Sequence, residues 1–324
     1  MASATTTLTA RQRARRRAAR RHRTALWFMA PWIIGFLAFV LYPMVASLYY
    51  SFTNYDLLSN PRWVGLENYR FMFTKDPRYW QAMRNTLWIV AVGVPLQALV
   101  ALGTAVLLTR PRRGGRVYRT IFFLPHMAPP VAAALAFVFV FNPVTGPVNQ
   151  LLTTAGMHRP PLWFFSPVWS KWGLVFLGVW GMGQTMVIYL AGLIDVPRQL
   201  YEAADVEGAS GWQKFRFVTL PSISPAIFFS LVTGVIYGFQ YFTEAYVASF
   251  AVAGQPTGSA AGEVGSPRGS LLFYSLYLYV RGFTDFRMGY ASAMAWVLFL
   301  ITMVCTVLLI RWSRRWVHYA GGLR

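Results

Sequence analysis

The sequence predicts an all-α fold, a polytopic membrane protein with six transmembrane helices. Three observations carry that prediction. Of the 324 residues, 56% are hydrophobic and only 12% charged, which is more apolar surface than one water-soluble core can hide. Six apolar runs, over 26–52, 86–109, 117–141, 173–193, 226–250 and 289–310, reach the roughly 20 residues that a helix needs to cross about 30 Å of hydrocarbon. The basic residues fall in alternate connections between these runs, which is how membrane orientation is written in a sequence.

In chain order, residues 1–24 form a basic tail, too poor in apolar residues to fold alone, which is expected to be disordered or to lie against anionic headgroups. Arg15, Arg16 and Arg17 precede an apolar run as in a secretory signal, but no small-residue cleavage site follows promptly, so the run is read as an uncleaved first span. Pro31 and Pro43 are expected to kink it. With the N-terminus inside, the cytoplasmic segments hold 20 of the 30 Lys and Arg. The net charge of +20 is then a signal of orientation and not of a nucleic-acid surface. Both termini are placed in the cytoplasm of a multi-pass inner-membrane protein. The membrane domain is drawn over 25–315 and the C-terminal cytoplasmic tail over 316–324.

The segment from Asn54 to Arg84 carries both charge signs and several aromatics, as a structured outer loop does. Gln97 interrupts the second run and is read as bonding to a neighbouring helix. The third run is broken by Pro125, Pro129 and Pro130 around His126. Lipid cannot replace the lost donors, so this break must face protein or a water-filled cavity. Pro129 and His126 are therefore candidates for a translocation path, and a packed histidine at a kink is the alternative. The outer loop from Asn142 to Trp172 is read as an interfacial or rim element through Trp163, Phe164 and Phe165. In the fourth run Gly181 and Gly183 permit close helix packing, and Trp180 and Gln184 join the path candidates. In the fifth, Tyr237, Gln240, Tyr241 and Glu244 recur at spacings of three and four, which places them on one helical face. Amides, a carboxylate and aromatic faces suit a sugar's hydroxyls and apolar ring faces; the alternative is that these groups only hold helices together. Residues 251–270, rich in Gly, Ser and Ala, are expected to be a flexible outer loop.

Asp195 to Pro221 is a polar interval that holds four of the ten acidic residues. Pro197 suits a first helical turn, and Asp195 caps it from outside. The helix should run to about Glu207, with Gly208 in the left-handed position that ends helices, and Ser210 with Gln213 forms a capping box for the next one. Leu200, Ala203, Ala204 and Glu207 share a face that another surface can approach closely. The order Glu202-Ala203-Ala204, then Gly208, then Leu220-Pro221, with Tyr201 and Asp205 beside it, resembles the EAA loop of permease subunits from binding-protein-dependent ABC importers. Val218 departs from that family's usual isoleucine but keeps a β-branched apolar residue.

Further matches run through Leu41-Tyr42-Pro43, Ser51-Phe52-Thr53, Val64 to Tyr69, the Phe-Phe-Leu-Pro ending at Pro125, and Gly289 to Ala293. They resemble the carbohydrate group that includes maltose and glycerol-3-phosphate permeases. The resemblance implies the type I ABC importer permease fold and a cytoplasmic loop 195–221 that fits a cleft on an ATPase. It further implies a path lined by the third to fifth spans, a second homologous permease, an ABC ATPase dimer that uses ATP and Mg, an extracytoplasmic solute-binding lipoprotein and a sugar as cargo. A polyol phosphate or an oligopeptide as cargo is the narrower alternative. An ion-coupled secondary transporter would want buried acidic pairs, and Glu244 is the one acid within a span.

Nothing in the chain reads as an enzyme site. Lys75, Lys171 and Lys214 follow no glycine-rich phosphate loop. His22, His126, His158 and His318 are scattered, and Cys305 stands alone within a span. No cofactor, metal or nucleic acid is expected in this chain. A topology reporter fused after Thr109 should read as cytoplasmic and one fused at Gly262 as external; the opposite pair of readings overturns the orientation.

Overall fold

The computed structural model describes residues 27–109, 114–253 and 264–318. The expectations for the tail 1–24, for the centre of the 251–270 loop and for the end of the C-terminal tail lie outside the described residues. The architecture is helical throughout, apart from one small hairpin.

Three helices are long and apolar enough to cross a membrane unbroken: α1 (Trp27–Ser51), α3 (Pro77–Thr109) and α14 (Met288–Ser313). Between α1 and α3 lie the hairpin β1 (Thr53–Asn54) and β2 (Arg62–Trp63), paired antiparallel with Thr53 opposite Trp63, and the short helix α2 (Glu67–Thr74). Three further crossings are bent pairs. Helices α4 (Gly115–Met127) and α5 (Pro130–Val140) meet at 98°, followed by the short α6 (Pro147–Thr154). Helices α7 (Ser170–Trp180) and α8 (Gly183–Ile194) meet at 46°. After α9 (Arg198–Val206), α10 (Gly211–Ser222) meets α11 (Ser224–Phe239) at 64°. The remaining helices are α12 (Thr243–Ala253) and α13 (Tyr274–Tyr279).

Prolines shape these helices in a consistent way. Proline has no N–H, and its ring clashes with the carbonyl four residues back. Ahead of Pro43, Pro95 and Pro221 the chain widens into π turns over Leu37–Leu41, Ile89–Gly93 and Phe215–Thr219, each ending two residues before the proline. A turn with one extra residue moves the offending carbonyl aside and lets the helix continue. Helix α1 accordingly continues past Pro43 and runs as one helix from Trp27 to Ser51. The expected break does occur in the third crossing. Ala128 and Pro129 are both extended there, and two consecutive extended residues turn the chain through 98°.

Helix packing follows the small residues. Ala101 and Ala105 on α3 are fully buried against Met186, Tyr189 and Leu190 of α8, the small-xxx-small contact that brings membrane helices together without help from water. A Cβ on Gly183 would sit 2.9 Å from the Phe123 Cα, so α8 touches the backbone of α4. Helix α14 packs along α1, and α12 along α5. Trp163 and Phe164 do not form a rim. They are buried, with Phe164 seated on Gly173 of α7 and the Trp163 indole donating to the Asn149 Oδ1 at 2.6 Å. The second half of the 251–270 loop also differs from expectation: Val264 and Ser270 are buried, and the Gly265 N–H donates to the Ser249 Oγ at 2.6 Å.

One buried acid organises the end of the bundle opposite the Asp195–Pro221 loop. Asp76 is 3% exposed and caps α3 by accepting from the Arg78 and Tyr79 N–H groups. Its Oδ2 accepts from the Tyr277 and Tyr290 hydroxyls, both at 2.6 Å. Arg281 donates to the Tyr277 oxygen at 2.7 Å and pairs with Asp285 at 2.9 Å. Burial, and then the Asp76 carboxylate, hold the Tyr277 phenol well above its usual titration range, so it remains a donor. Asp76→Ala leaves two phenols and a guanidinium without their shared acceptor. It should cost about 3–5 kcal/mol, read as a lower melting temperature in detergent. A melting curve unchanged from the parent's rules out the node as a fastener.

Candidate functional site

A cavity of about 610 Å³ opens among the bent helices, walled by α3, the corner between α4 and α5, the α7–α8 bend, α11 and the start of α12. Seven of the eight path candidates line it: His126, Trp180, Gln184, Tyr237, Gln240, Tyr241 and Glu244. Pro129 does not. In its extended corner successive residues face opposite ways, so Ala128 and Pro130 line the cavity and Pro129 turns away. Gln97 also lines it, and among the described residues it makes no hydrogen bond to a neighbouring helix, contrary to its sequence reading. The residues that sequence reading passed over, Thr185, Ser230, Thr233 and Thr243, are small hydroxyls within apolar runs. Their type is so common in helix packing that only geometry singles them out.

The fifth crossing corrects the expected single face. Helix α11 ends at Phe239, Gln240–Phe242 leave the helix, and α12 starts at Thr243. The aromatics here pack in directions that one continuous helix cannot serve: Phe239 is buried, Tyr241 stacks edge-on to Phe273 at 5.4 Å, and Phe242 meets Tyr279 at 5.4 Å. The Ser275 hydroxyl donates to the freed Phe239 carbonyl at 3.3 Å, which satisfies one backbone group at the break. The break wraps Tyr237, Gln240, Tyr241 and Glu244 around the cavity. Glu244 stands in the first turn of α12, where the helix dipole favours a negative charge. The lining therefore offers three amides, one carboxylate, hydroxyls and the aromatic faces of Trp180, Tyr237 and Tyr241, and neither Lys nor Arg.

The second element is the loop 195–221. Helix α9 is capped by the extended Pro197, and Asp195 instead ends α8, still in helical conformation. A cap therefore comes two residues later than the sequence placed it. At the far end Gly208 has φ +74. Its N–H donates to the Asp205 carbonyl at 3.0 Å, and the Ala209 N–H to the Ala204 carbonyl at 2.9 Å, the paired bonds of a Schellman motif. The Ser210–Gln213 capping box starts α10 as expected. Lys214 pairs with Asp205 across the turn, and the Tyr201 hydroxyl bonds the Thr219 hydroxyl at 3.0 Å. Tyr201 is thus a brace inside the loop. Glu202, Ala203 and Gly208 are exposed and Ala204 half-exposed, next to Leu200 and Val206. Leu220 and Pro221 sit in the last turn of α10, behind the π turn.

Residues 93–318, which include the loop and every cavity-lining residue except Ile89, match the family described as binding-protein-dependent transport system inner membrane component. The chain belongs to this family. It is a transport subunit of the inner membrane with the type I ABC importer permease fold. A probable ABC transporter permease, YesP, of Bacillus subtilis (strain 168) is 44% identical over 293 residues, which cover 90% of this chain and 91% of that protein. The lactose transport system permease LacF of Rhizobium radiobacter is 32% identical, over 87% of this chain and 91% of its own length. A solved bacterial ABC transporter for import of the acidic polysaccharide alginate superposes with a TM-score of 0.74 over 92% of this chain and 98% of that one; at 23% identity it supports the fold.

In this permease the Gln184 and Gln240 amides are exposed to the cavity and, among the described residues, held by no protein partner. Gln184→Ala and Gln240→Ala should each lower uptake by about 2- to 10-fold, the value of one hydrogen bond of roughly 0.5–1.5 kcal/mol, with yield and assembly unchanged. Full-rate uptake by both variants makes the lining structural.

Proposed function

We propose that this permease forms half of the path of an ATP-driven importer that carries a neutral mono-, di- or oligosaccharide, and that the loop 195–221 receives the force. The observation that carries this reading is the joining of two parts in one chain: a cavity lined by amides and aromatic faces, and a braced helix-turn-helix at the bundle's far end with an exposed small-residue face. Permeases named for lactose and arabinooligosaccharide transport are similar over most of their length, which supports a sugar as cargo. A polyol phosphate fits less well, because a phosphate seeks cations and the described lining offers neither Lys nor Arg.

The basic residues orient the chain with both termini and the loop in the cytoplasm. The partners are a second homologous permease, which completes the path, an ABC ATPase dimer, which uses ATP with Mg, and an extracytoplasmic solute-binding lipoprotein. This chain itself binds no nucleotide or metal. Nucleotide-driven closure of the ATPase pair displaces α9, and α10 passes the movement to α11. The Schellman cap, the Lys214–Asp205 pair and the Tyr201–Thr219 bond keep the loop stiff, so displacement is passed on and not absorbed. Access then alternates by rigid-body rocking of the bent helices between two states.

Gly208 tests the coupling. A Cβ there would meet open space, so Gly208→Val introduces no clash within the chain and strains a left-handed backbone by about 1–2 kcal/mol. Uptake and co-purification of the ATPase should be lost while membrane insertion persists. Gly208→Asn, which tolerates that backbone, should retain most activity. Normal transport by Gly208→Val overturns the coupling assignment.

A further inference from the structure

A cluster of cations stands at the end of the bundle opposite the loop. Lys171, at the start of α7, donates to the Asn85 Oδ1 at 3.3 Å and lies over the Trp88 ring, 5.2 Å from its centroid. The Arg84 guanidinium is near enough to act on its charge. Arg268 is brought to the same place by its backbone. Gln81 donates to the Arg268 carbonyl at 2.9 Å, and Asn85 donates to the Gly269 and Leu272 carbonyls at 2.8 and 2.9 Å. The Ser170 and Ser270 hydroxyls bond at 2.7 Å, fastening the turn to α7. Arg84 and Arg268 are exposed and Lys171 is half-buried. Among the described residues no carboxylate forms an ion pair with any of the three.

Like charges repel, and burying one without a counterion is costly, yet here two polar side chains and a turn hold them together. The described acids at this end do not relieve them. Asp76 and Asp285 are committed to Tyr277, Tyr290 and Arg281. Glu244 is half-buried in the cavity wall. The cluster also adjoins the cavity, since Leu174 lies one turn from Lys171 on α7, and Ile89 lies five residues from Arg84 on α3. A path for an anionic cargo would continue the cations inward, and the described lining carries none.

We infer that Arg84, Lys171 and Arg268 form the docking site for an acidic patch on the extracytoplasmic solute-binding protein. The inference rests on the importer reading and on its orientation. A binding protein must deliver its ligand over the cavity, and three cations beside it that pair with no carboxylate among the described residues supply both attraction and register. Complementary charge of this kind raises the association rate and selects against wrong partners. It also makes docking sensitive to salt.

The test uses the complete importer in nanodiscs of neutral phosphatidylcholine, with its binding protein's affinity and association rate measured at low and high salt. The Arg84→Gln/Arg268→Gln variant should weaken binding by about tenfold at low salt, mainly through slower association, and should flatten the salt dependence. ATP hydrolysis without binding protein should stay at the parent level, which shows that the variant has folded and assembled. Adding Lys171→Gln should deepen the loss. Reversing acidic residues on the binding protein's docking face should have no further effect on the triple variant. Unchanged affinity and salt dependence overturn the inference. So does an effect that appears only when anionic lipid is added, which would assign the cations to headgroups. A parent complex that neither binds the protein nor needs it for uptake defeats the importer reading itself, an outcome distinct from failure of the docking site alone.

Discussion

A helix that breaks within hydrocarbon frees backbone donors and acceptors that lipid cannot bind. Much of this structure is a response to that constraint. The third crossing turns through 98° at Ala128–Pro129, the fourth through 46° at Gly181–Met182, and the fifth leaves the helix at Gln240–Phe242. All three discontinuities border one cavity. Irregular backbone is tolerable there because water and polar side chains replace what the helix gave up, as the Ser275 hydroxyl does for the Phe239 carbonyl. The polar groups that suit a hydroxylated cargo and the groups that make the breaks affordable are to a large extent the same.

Where a proline must not produce a break, the chain takes another course. The π turns ahead of Pro43, Pro95 and Pro221 keep the helices continuous through α1 and α3 and through the second arm of the loop. Of the three crossings that run unbroken, α1 lies against α14, α3 against α8 and α11, and α14 against α11. The loop shares this stiffness through its capping bonds and its cross-turn ion pair. These bonds tie the two arms of the loop to each other.

How much of this was legible in the sequence depended on the range of the interaction. Gly208, the Ser210–Gln213 box and the end of α9 were readable because their partners lie within five residues. His126, Trp180 and Gln184 were readable because a polar or small residue within an apolar run is conspicuous. The stripe from Tyr237 to Glu244 was found for the right residues but on the wrong backbone. Periodicity assumes a continuous helix and does not register that Phe239, Tyr241 and Phe242 pack in different directions. Pro129 was misplaced because its facing depends on two extended residues and not on the break itself. Trp163 and Phe164 were read as a rim because exposure of an aromatic cannot be inferred from its neighbours in sequence. Tyr290 was noticed only within the Gly289 to Ala293 match, and its grouping with Asp76, Tyr277 and Arg281 was not foreseen, since 214 positions separate Asp76 from Tyr290. An acid flanked by lysine and proline in a polar loop carries no local sign of burial.

That separation bears on how the protein is made. A chain inserted from its N-terminus carries Asp76 while Tyr277 and Tyr290 have yet to be synthesised. Until the final helix arrives, the carboxylate keeps only its cap bonds to the Arg78 and Tyr79 N–H groups, and the turn before α3 lacks its distant anchor. Completion of the last span is therefore also the event that seals the segment between α1 and α3. Truncated chains that stop short of it carry an unfastened segment, open to the proteases of a quality-control system, even when every earlier span is correctly inserted.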